Sequence, residues 1–481
     1  MNRRFQRRHL AVALAALFFV SASGTAGEQS FLPNMLRFAN PTGAAATFST
    51  AGKVDLTGPF FQSLGTNGRA CVSCHQPSTG WTITPANVQA RFDATDGTDP
   101  VFRTNDGSIS PNADVSTLEA RRAAYSMLLN KGLIRIGIGM PPNQFVSTAE
   151  FELIAVDDPY GYASASELSL FRRPLPSTNL KFLSTVMADG RETFKDPASH
   201  DCILGTTTCF ASIHFDLADQ SNSATTGHAQ AAQALTTAQR EAIFVFETTL
   251  FTAQVFDNEA GELTARQALG GPQYLSQQEF HFGINDVVSG DYATGALFNP
   301  TVFKLYDAWD TVDPGDGDAS RNEARRAVAR GQALFNSKPI QITGVKGIND
   351  DLGVKVLPGT CTTCHDTPNA GDHSIPAPLD IGLTDASRRT PDLPLYTLRH
   401  TLPPFETIQT TDPGRALITG KWKDIGRFKG PILRAVATRA PYFHNGSAKD
   451  LHEAVDFYDQ RFGIGFTQDE KDDLVAFLLT L

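Results

Sequence analysis

The chain has 481 residues, of which 41% are hydrophobic, and its 41 basic and 51 acidic residues give a net charge of −10. A surface of this sign repels phosphate groups, which excludes nucleic acid and anionic membranes as main partners. The length is too great for one ordinary domain and predicts two or three.

The first predicted element is an export signal over residues 1–26. Four arginines precede an apolar run from Leu10 to Val20, and small residues follow from Ser21 to Gly27. This pattern is typical of a signal peptide, because the apolar run is too short to cross a bilayer. We therefore expect an exported, periplasmic protein whose mature chain has no membrane span. An uncleaved anchor is the alternative.

The pattern Cys-X-X-Cys-His follows, and it occurs twice. In this pattern the two thiols form thioether bonds to haem, and the histidine supplies a nitrogen ligand to the iron. A lone Cys-X-X-Cys also fits a redox dithiol or half of a zinc site, but the histidine and the second copy favour haem. We therefore predict two covalently bound haem c groups. The attachment and ligand residues are Cys71, Cys74, His75, Cys361, Cys364 and His365.

Two of the six cysteines, Cys202 and Cys209, lie outside these motifs. They are separated by a short polar loop, and the expected compartment is oxidising. We predict a disulfide between them, with two free thiols as the alternative.

The chain divides most clearly at Thr311–Ser320, which is rich in glycine, proline and aspartate and is typical of a linker. We predict an N-terminal haem domain over residues 27–315 and a C-terminal haem domain over residues 316–481, as a duplicated cytochrome c unit. The predicted fold class is mainly α: two cytochrome c-like haem domains with long ordered loops and few strands.

Helix signals support this class. A helix should begin near Asn322, and each haem motif is preceded by a lead-in, residues 58–65 and 329–335, that we also expect to be helical. The segments 85–114 and 338–358 are dense in glycine, proline, asparagine and aspartate and predict loops. The other predicted helices are Leu118–Lys131, Thr237–Ala253, Lys449–Arg461 and Thr467–Leu479.

The second ligand of each iron decides between electron transfer and chemistry, because only an open position binds a small molecule. No histidine lies between His75 and His200, so we predict that the first haem is open and is the reaction site, with Met127 or Met140 as alternative ligands. No methionine follows Met187, so the second haem needs another ligand. The candidates there are His373, His400, His444, His452, Tyr396, Tyr442 and Tyr458.

Residues 428–455 contain the runs Phe-Lys-Gly-Pro, Ala-Pro-Tyr-Phe-His-Asn-Gly and Leu-His-Glu-Ala-Val. This series resembles the bacterial di-haem cytochrome c peroxidase family, which includes the MauG-type maturation enzymes. In that family the residue at the Tyr458 position is the distal ligand of the second haem, a methionine in ordinary peroxidases and a tyrosine in the MauG type. The resemblance therefore implies Tyr458 as a ligand. The alternative is a buried tyrosine that hydrogen-bonds a propionate or a carbonyl.

Further residues take expected roles from the same resemblance. Arg434 is a plausible partner of a haem propionate, and His444 is expected to order the interface or a propionate. The family also holds a calcium ion between its domains, on backbone carbonyls that match Arg439 and Pro441 and on a side-chain amide for which Asn112 is the candidate. Many members are homodimers.

The reaction pocket of the first haem matches the family less well. The family's Asp-Gly-Arg run recurs at Asp189, but the position of its catalytic glutamate is taken by Ala218. Cleavage of a peroxide bond requires a group that moves a proton between the two oxygens. Asp219 with Gln220 as a positioning donor is one candidate and His228 is the other, and ordinary surface residues are the alternative for each.

The resemblance implies an oxidoreductase that reduces hydrogen peroxide to water at the first haem, with electrons from a small cytochrome c or a cupredoxin. A second hypothesis is a MauG-like or rubber-oxygenase-like oxidase that acts on another substrate. The third is a non-enzymatic electron-transfer cytochrome, which requires two ligands on both irons.

Overall fold

The computed structural model describes residues 30–195, 212–313, 315 and 317–481. The predicted signal peptide and the Cys202 and Cys209 pair lie outside the described residues. Within them, no helix combines the length and the apolar character needed to cross a bilayer.

The prediction of a mainly α fold is wrong, because strands form five separate sheets in the described part of the chain. The largest is antiparallel with the order β2-β3-β8-β9, and a second has the order β13-β12-β6. The remaining pairs are β1-β4, β5-β7 and β10-β11. The strands are β1 (Phe31–Pro33), β2 (Arg37–Asn40), β3 (Gly43–Ser49), β4 (Lys53–Asp55), β5 (Ile134–Ile138), β6 (Phe151–Asp157), β7 (Leu168–Arg172), β8 (Leu250–Asp257), β9 (Gly261–Glu262), β10 (Ile340–Thr343), β11 (Val356–Gly359), β12 (Leu395–His400) and β13 (Thr407–Thr410).

The helices begin and end close to the predicted positions in the C-terminal third, where the predictions are confirmed. Elsewhere they differ. The predicted helix over Thr237–Ala253 ends at Thr248, and the predicted helix over Leu118–Lys131 is two short helices. The helices are α1 (Pro85–Thr95), α2 (Leu118–Ala124), α3 (Ser126–Lys131), α4 (Ser212–Gly227), α5 (Thr237–Thr248), α6 (Pro272–Ser276), α7 (Ala319–Ser337), α8 (Ala416–Thr419), α9 (Leu451–Phe462) and α10 (Gln468–Leu478).

Both predicted long loops contain regular structure. Residues 85–114 begin with α1, and the first residue of this helix is a proline. The side chain of the N-cap residue, Thr84, accepts a hydrogen bond from the backbone N–H of Asn87. This is a favourable helix start, since proline fits the first turn of a helix. Residues 338–358 contain β10 and the start of β11. The lead-in to the first motif is only a 3-10 turn, Pro59–Phe61, whereas the lead-in to the second lies within α7.

The main hydrophobic core does not follow the predicted division at residue 315. Around α7, α9 and α10 this core includes Val302, Tyr306 and Trp309, which precede the linker in sequence. In addition, β6 from the first half of the chain pairs with β12 from the second half. The two halves are therefore joined through both a shared core and a shared sheet.

Helices α7 and α10 pack closely at Gly331, where a side chain would not fit. A Cβ atom there would lie 1.9 Å from the backbone oxygen of Asp473. We expect Gly331→Ala to lower the free energy of unfolding by about 1–3 kcal/mol, because the helices must separate. Gly227→Ala, at the end of α4 with no atom within 4 Å, is the control and should change stability by less than about 0.5 kcal/mol. Urea unfolding of the holoprotein measures both, and equal effects would contradict the packing argument.

Candidate functional site

Each Cys-X-X-Cys-His motif begins with a 3-10 turn and ends with a histidine whose ring is fixed by a backbone carbonyl. His75 donates from Nδ1 to the oxygen of Trp81 at 2.9 Å. His365 donates from Nδ1 to the oxygen of Gly371 at 2.6 Å. A carbonyl can only accept, so Nδ1 carries the proton in both rings and Nε2 keeps its lone pair for a metal.

A large cavity adjoins each motif. The first, beside His75, has about 1600 Å³ of space, and the second, beside His365, has about 1960 Å³, part of each open to solvent. Protein interiors are normally close-packed, so cavities of this size are explained by a group that the chain itself does not supply. Each is bordered by two thiols and an imidazole, with mostly apolar residues around them. This combination fits a covalently attached haem.

One face of α4 lines the first cavity. Leu217, Gln220 and Ser221 lie on it, and His228 follows just after the helix. The spacing places these residues on one side of a helix. Asp219 points elsewhere and lies 3.5 Å from the guanidinium of Arg240. The structure thus brings His228 and the predicted positioning donor Gln220 to the cavity and leaves Asp219 outside it.

His228 is partly exposed and contacts a buried ion pair, Asp106 with Arg69, beside the first cysteine motif. Its Nδ1 lies 2.5 Å from a carboxylate oxygen of Asp106, and Arg69 forms an ion pair with the same carboxylate. Burial raises the pKa of Asp106, but the hydrogen bond from His228 and the charge of Arg69 outweigh it and hold that pKa below its usual value. The ionised carboxylate orients the imidazole and leaves Nε2 available to accept or donate a proton.

Two residues that the sequence analysis did not select also line the first cavity, Met187 and Glu247. Met127 and Met140, the methionines that it did consider, lie in other cores. The sequence placed Glu247 only within the predicted helix over Thr237–Ala253. The available signal was its position four residues after Ile243, which puts both residues on the buried face of α5.

Glu247 makes stability depend on pH. It is 5% exposed, and burial raises its pKa to about 7. The Glu247 carboxyl loses its proton near pH 4.5 in the unfolded chain and near pH 7 in the folded chain. The protonated carboxyl therefore contributes fully to the free energy of unfolding below pH 4.5, and this contribution is lost as pH rises to 7. We expect Glu247→Gln to remove this loss, worth on the order of 3 kcal/mol. Urea unfolding at pH 5 and pH 8 tests it, and parallel pH profiles for both proteins would contradict it.

Tyr458 lines the second cavity from α9, on the same face as Leu451 and Val455. Burial raises its pKa, and the thiols of Cys364 and Cys361 add to the shift, which places the ring near the motif. Among the described residues its hydroxyl has no hydrogen-bond partner. The group therefore faces the cavity in a way that suits either a ligand or a partner of a bound molecule.

His444 is the other candidate at the second cavity. Its ring stacks on Phe428 with 4.0 Å between centroids, and neither ring nitrogen has a hydrogen-bond partner. Burial lowers its pKa to about 4, so the ring is neutral at physiological pH. Tyr442 also lines this cavity, but its hydroxyl donates to the oxygen of Val436. The candidates that lie outside this cavity are His373, His400, His452 and Tyr396.

Arg434, the predicted propionate partner, lies outside both cavities. Its guanidinium is 1% exposed and donates to three backbone carbonyls, those of Leu481, Asn369 and Gly271. Since Arg434 lines neither cavity, this geometry gives no support to the predicted contact with a propionate, which stays a prediction.

The expected calcium ligands have other surroundings in the structure. The carbonyl oxygen of Arg439 accepts a hydrogen bond from the Arg173 guanidinium at 3.1 Å, and Asn112 is exposed. A calcium ion between the domains stays a prediction.

No protein-family model matches the chain. Among curated proteins, the cytochrome-c peroxidase IdrP1 of Pseudomonas sp. (strain SCT) is 30% identical over 183 residues, 34% of this chain and 42% of that protein. The cytochrome-c peroxidase IdrP1 of Denitromonas iodatirespirans is 28% identical over 235 residues, 44% of this chain and 54% of that protein. The matches thus span about half the length of these relatives. A MauG-like protein associated with microbial copper homeostasis, of known structure, covers 88% of this chain and 87% of its own at 15% identity, but the TM-score of 0.33 is too low to define the fold.

Over the matched segments the chain is similar to cytochrome c peroxidases, as its two Cys-X-X-Cys-His motifs predicted.

Proposed function

We propose that the chain is a periplasmic di-haem c peroxidase that reduces hydrogen peroxide to two waters. Two electrons would come from a small cytochrome c or a cupredoxin, and two protons from solvent. Cys71 and Cys74 would hold the first haem with His75 as ligand. Cys361 and Cys364 would hold the second, with His365 and Tyr458 as ligands. Homodimerisation stays a prediction.

One observation carries this proposal: the first cavity is bordered by the His75 imidazole, by Gln220 of α4 and by His228, which follows that helix. A bound haem supplies an iron that binds peroxide and transfers electrons to it. His228, oriented by Asp106, takes a proton from one peroxide oxygen and returns it to the other, so that water leaves. The amide of Gln220 donates a hydrogen bond that positions the peroxide.

The proposal is tested by adding peroxide to the holoprotein with reduced cytochrome c as donor. We expect two cytochromes oxidised per peroxide consumed, and a high-spin ferric signal from the first haem in low-temperature electron paramagnetic resonance. Two low-spin haems that do not react with peroxide would refute it and leave an electron-transfer cytochrome.

The second candidate is an oxidase of the MauG type. Tyr458 in the second cavity favours it, because a phenolate ligand stabilises ferric and higher oxidation states. Turnover with a simple electron donor supports the peroxidase, whereas oxidation of another substrate in its place supports this second candidate.

A further inference from the structure

The two cavities share a wall. Nine residues line both of them, and three of the nine are cations, with no acidic residue among the nine. The shared residues are Arg173, Pro174, Leu175, Pro176, Ala188, Lys429, Pro431, Ile432 and Arg439.

Among the described residues, the three cations donate hydrogen bonds only to backbone carbonyls. Arg173 donates at 2.8 and 2.9 Å, Lys429 at 3.0 Å and Arg439 at 2.9 Å. Within the part of the chain that the structure describes, none of them forms an ion pair with a carboxylate. The carboxyl of Asp372 raises the pKa of Lys429, but it does so from beyond ion-pair distance. Burial raises the pKa of Asp372 itself well above its usual value. The contrast is Arg172, which contacts the carboxylates of both Asp189 and Asp412.

This arrangement is unfavourable for the protein alone. Burial lowers the pKa of Lys429 to about 8 and those of Arg173 and Arg439 to about 10, and the charge of Arg439 lowers the pKa of its two neighbours further. Like charges withdrawn from water without counter-ions cost several kcal/mol. A wall of this kind therefore indicates an anionic partner that the protein does not contribute.

We propose that this wall binds the propionate carboxylates of both haems, so that one set of three cations serves the two groups. The inference rests on the proposed haem binding, since each haem carries two propionates. Charge-assisted hydrogen bonds from Arg173, Lys429 and Arg439 would fix the two haems relative to each other. Positive charge between the cavities also favours the reduced state of each iron, so the wall raises both reduction potentials.

Spectroelectrochemical titration of the holoprotein tests the wall. We expect Lys429→Met and Arg439→Met each to shift the midpoint potentials of both haems negative, whereas Lys429→Arg, which keeps the charge, leaves them near those of the wild type. Arg325→Met is the matched control, because Arg325 is also buried and donates to a backbone carbonyl but lies outside both cavities. It should leave the potentials unchanged.

Unchanged potentials in both methionine variants would overturn the inference, and a shift at one haem only would overturn the shared wall. Haem content separates the two proposals, because wild-type protein without covalent haem refutes the proposed function itself. Circular dichroism identifies a variant that does not fold, and Arg173→Gln then removes the charge at the third position. If all three neutral variants fail to fold while Lys429→Arg folds, the cations are structural and the inference is wrong.

Discussion

Replacement of His228 by alanine should lower kcat/KM for hydrogen peroxide by about 10²- to 10⁴-fold, the usual contribution of a positioned acid–base group. The expectation rests on the pairing of His228 with the buried carboxylate of Asp106 at the edge of the first cavity. Steady-state peroxide reduction with reduced cytochrome c measures it. The same variant should still bind two haems, since the histidine contributes no thiol and no proximal ligand.

Asp219→Asn provides the matched control. Asp219 was an equal candidate in the sequence, lies on α4, the helix that His228 follows, and pairs with Arg240 outside the cavity. Its replacement should therefore leave kcat/KM within about twofold, as for a surface change. Asp106→Asn should give a loss in the same direction as His228→Ala, because it removes the group that orients the imidazole. A loss in Asp219→Asn equal to that in His228→Ala would refute the assignment of the proton to His228.

Features that depend only on residues close together in the sequence could be predicted from the sequence. The pattern Cys-X-X-Cys-His puts two thiols and an imidazole into one local turn, so both motifs and the similarity to cytochrome c peroxidases could be recognised without a fold. Tyr458 could be singled out only through the family resemblance, which matches it to the position of a distal ligand; the helical face that it shares with Leu451 and Val455 is compatible with that role. What the pattern could not reveal was the carbonyl that fixes each ring, since Trp81 and Gly371 follow in irregular loops.

Residues that meet only through the fold were predicted poorly. Asp219 and His228 were equivalent in sequence, and only the orientation of α4 separates them. Arg434 looked suited to a propionate, yet carbonyls from three distant segments hold it away from the cavities. The sheets were missed in part because β8 is buried on both faces along nearly its whole length, and a buried strand lacks the clear alternation that distinguishes a half-buried strand from a helix. Its pairing with β3 is a contact between residues about 200 positions apart.

Tyr458→Phe should raise the midpoint potential of the second haem and leave the first almost unchanged. An anionic phenolate favours ferric iron, so its removal favours the reduced state, and axial ligands together span roughly 0.8 V. The substitution keeps the ring packed between Phe443 and Phe462, so the change isolates the hydroxyl. Spectroelectrochemistry gives the potential, and low-temperature electron paramagnetic resonance gives the ligand field of the same haem.

Tyr442→Phe controls for the loss of a hydroxyl in the same cavity, because the Tyr442 hydroxyl is held by the oxygen of Val436 at 3.2 Å. It should change neither potential nor spectrum. If Tyr458→Phe matches wild type, tyrosine ligation is refuted, and the unpartnered imidazole of His444 becomes the next ligand to test, by His444→Ala. Ligation by His444 would also have a different effect on the iron from ligation by Tyr458, because a neutral imidazole compensates less of the ferric charge than a phenolate does. The second haem would then have a higher potential, suited to relaying electrons rather than to holding an oxidising equivalent.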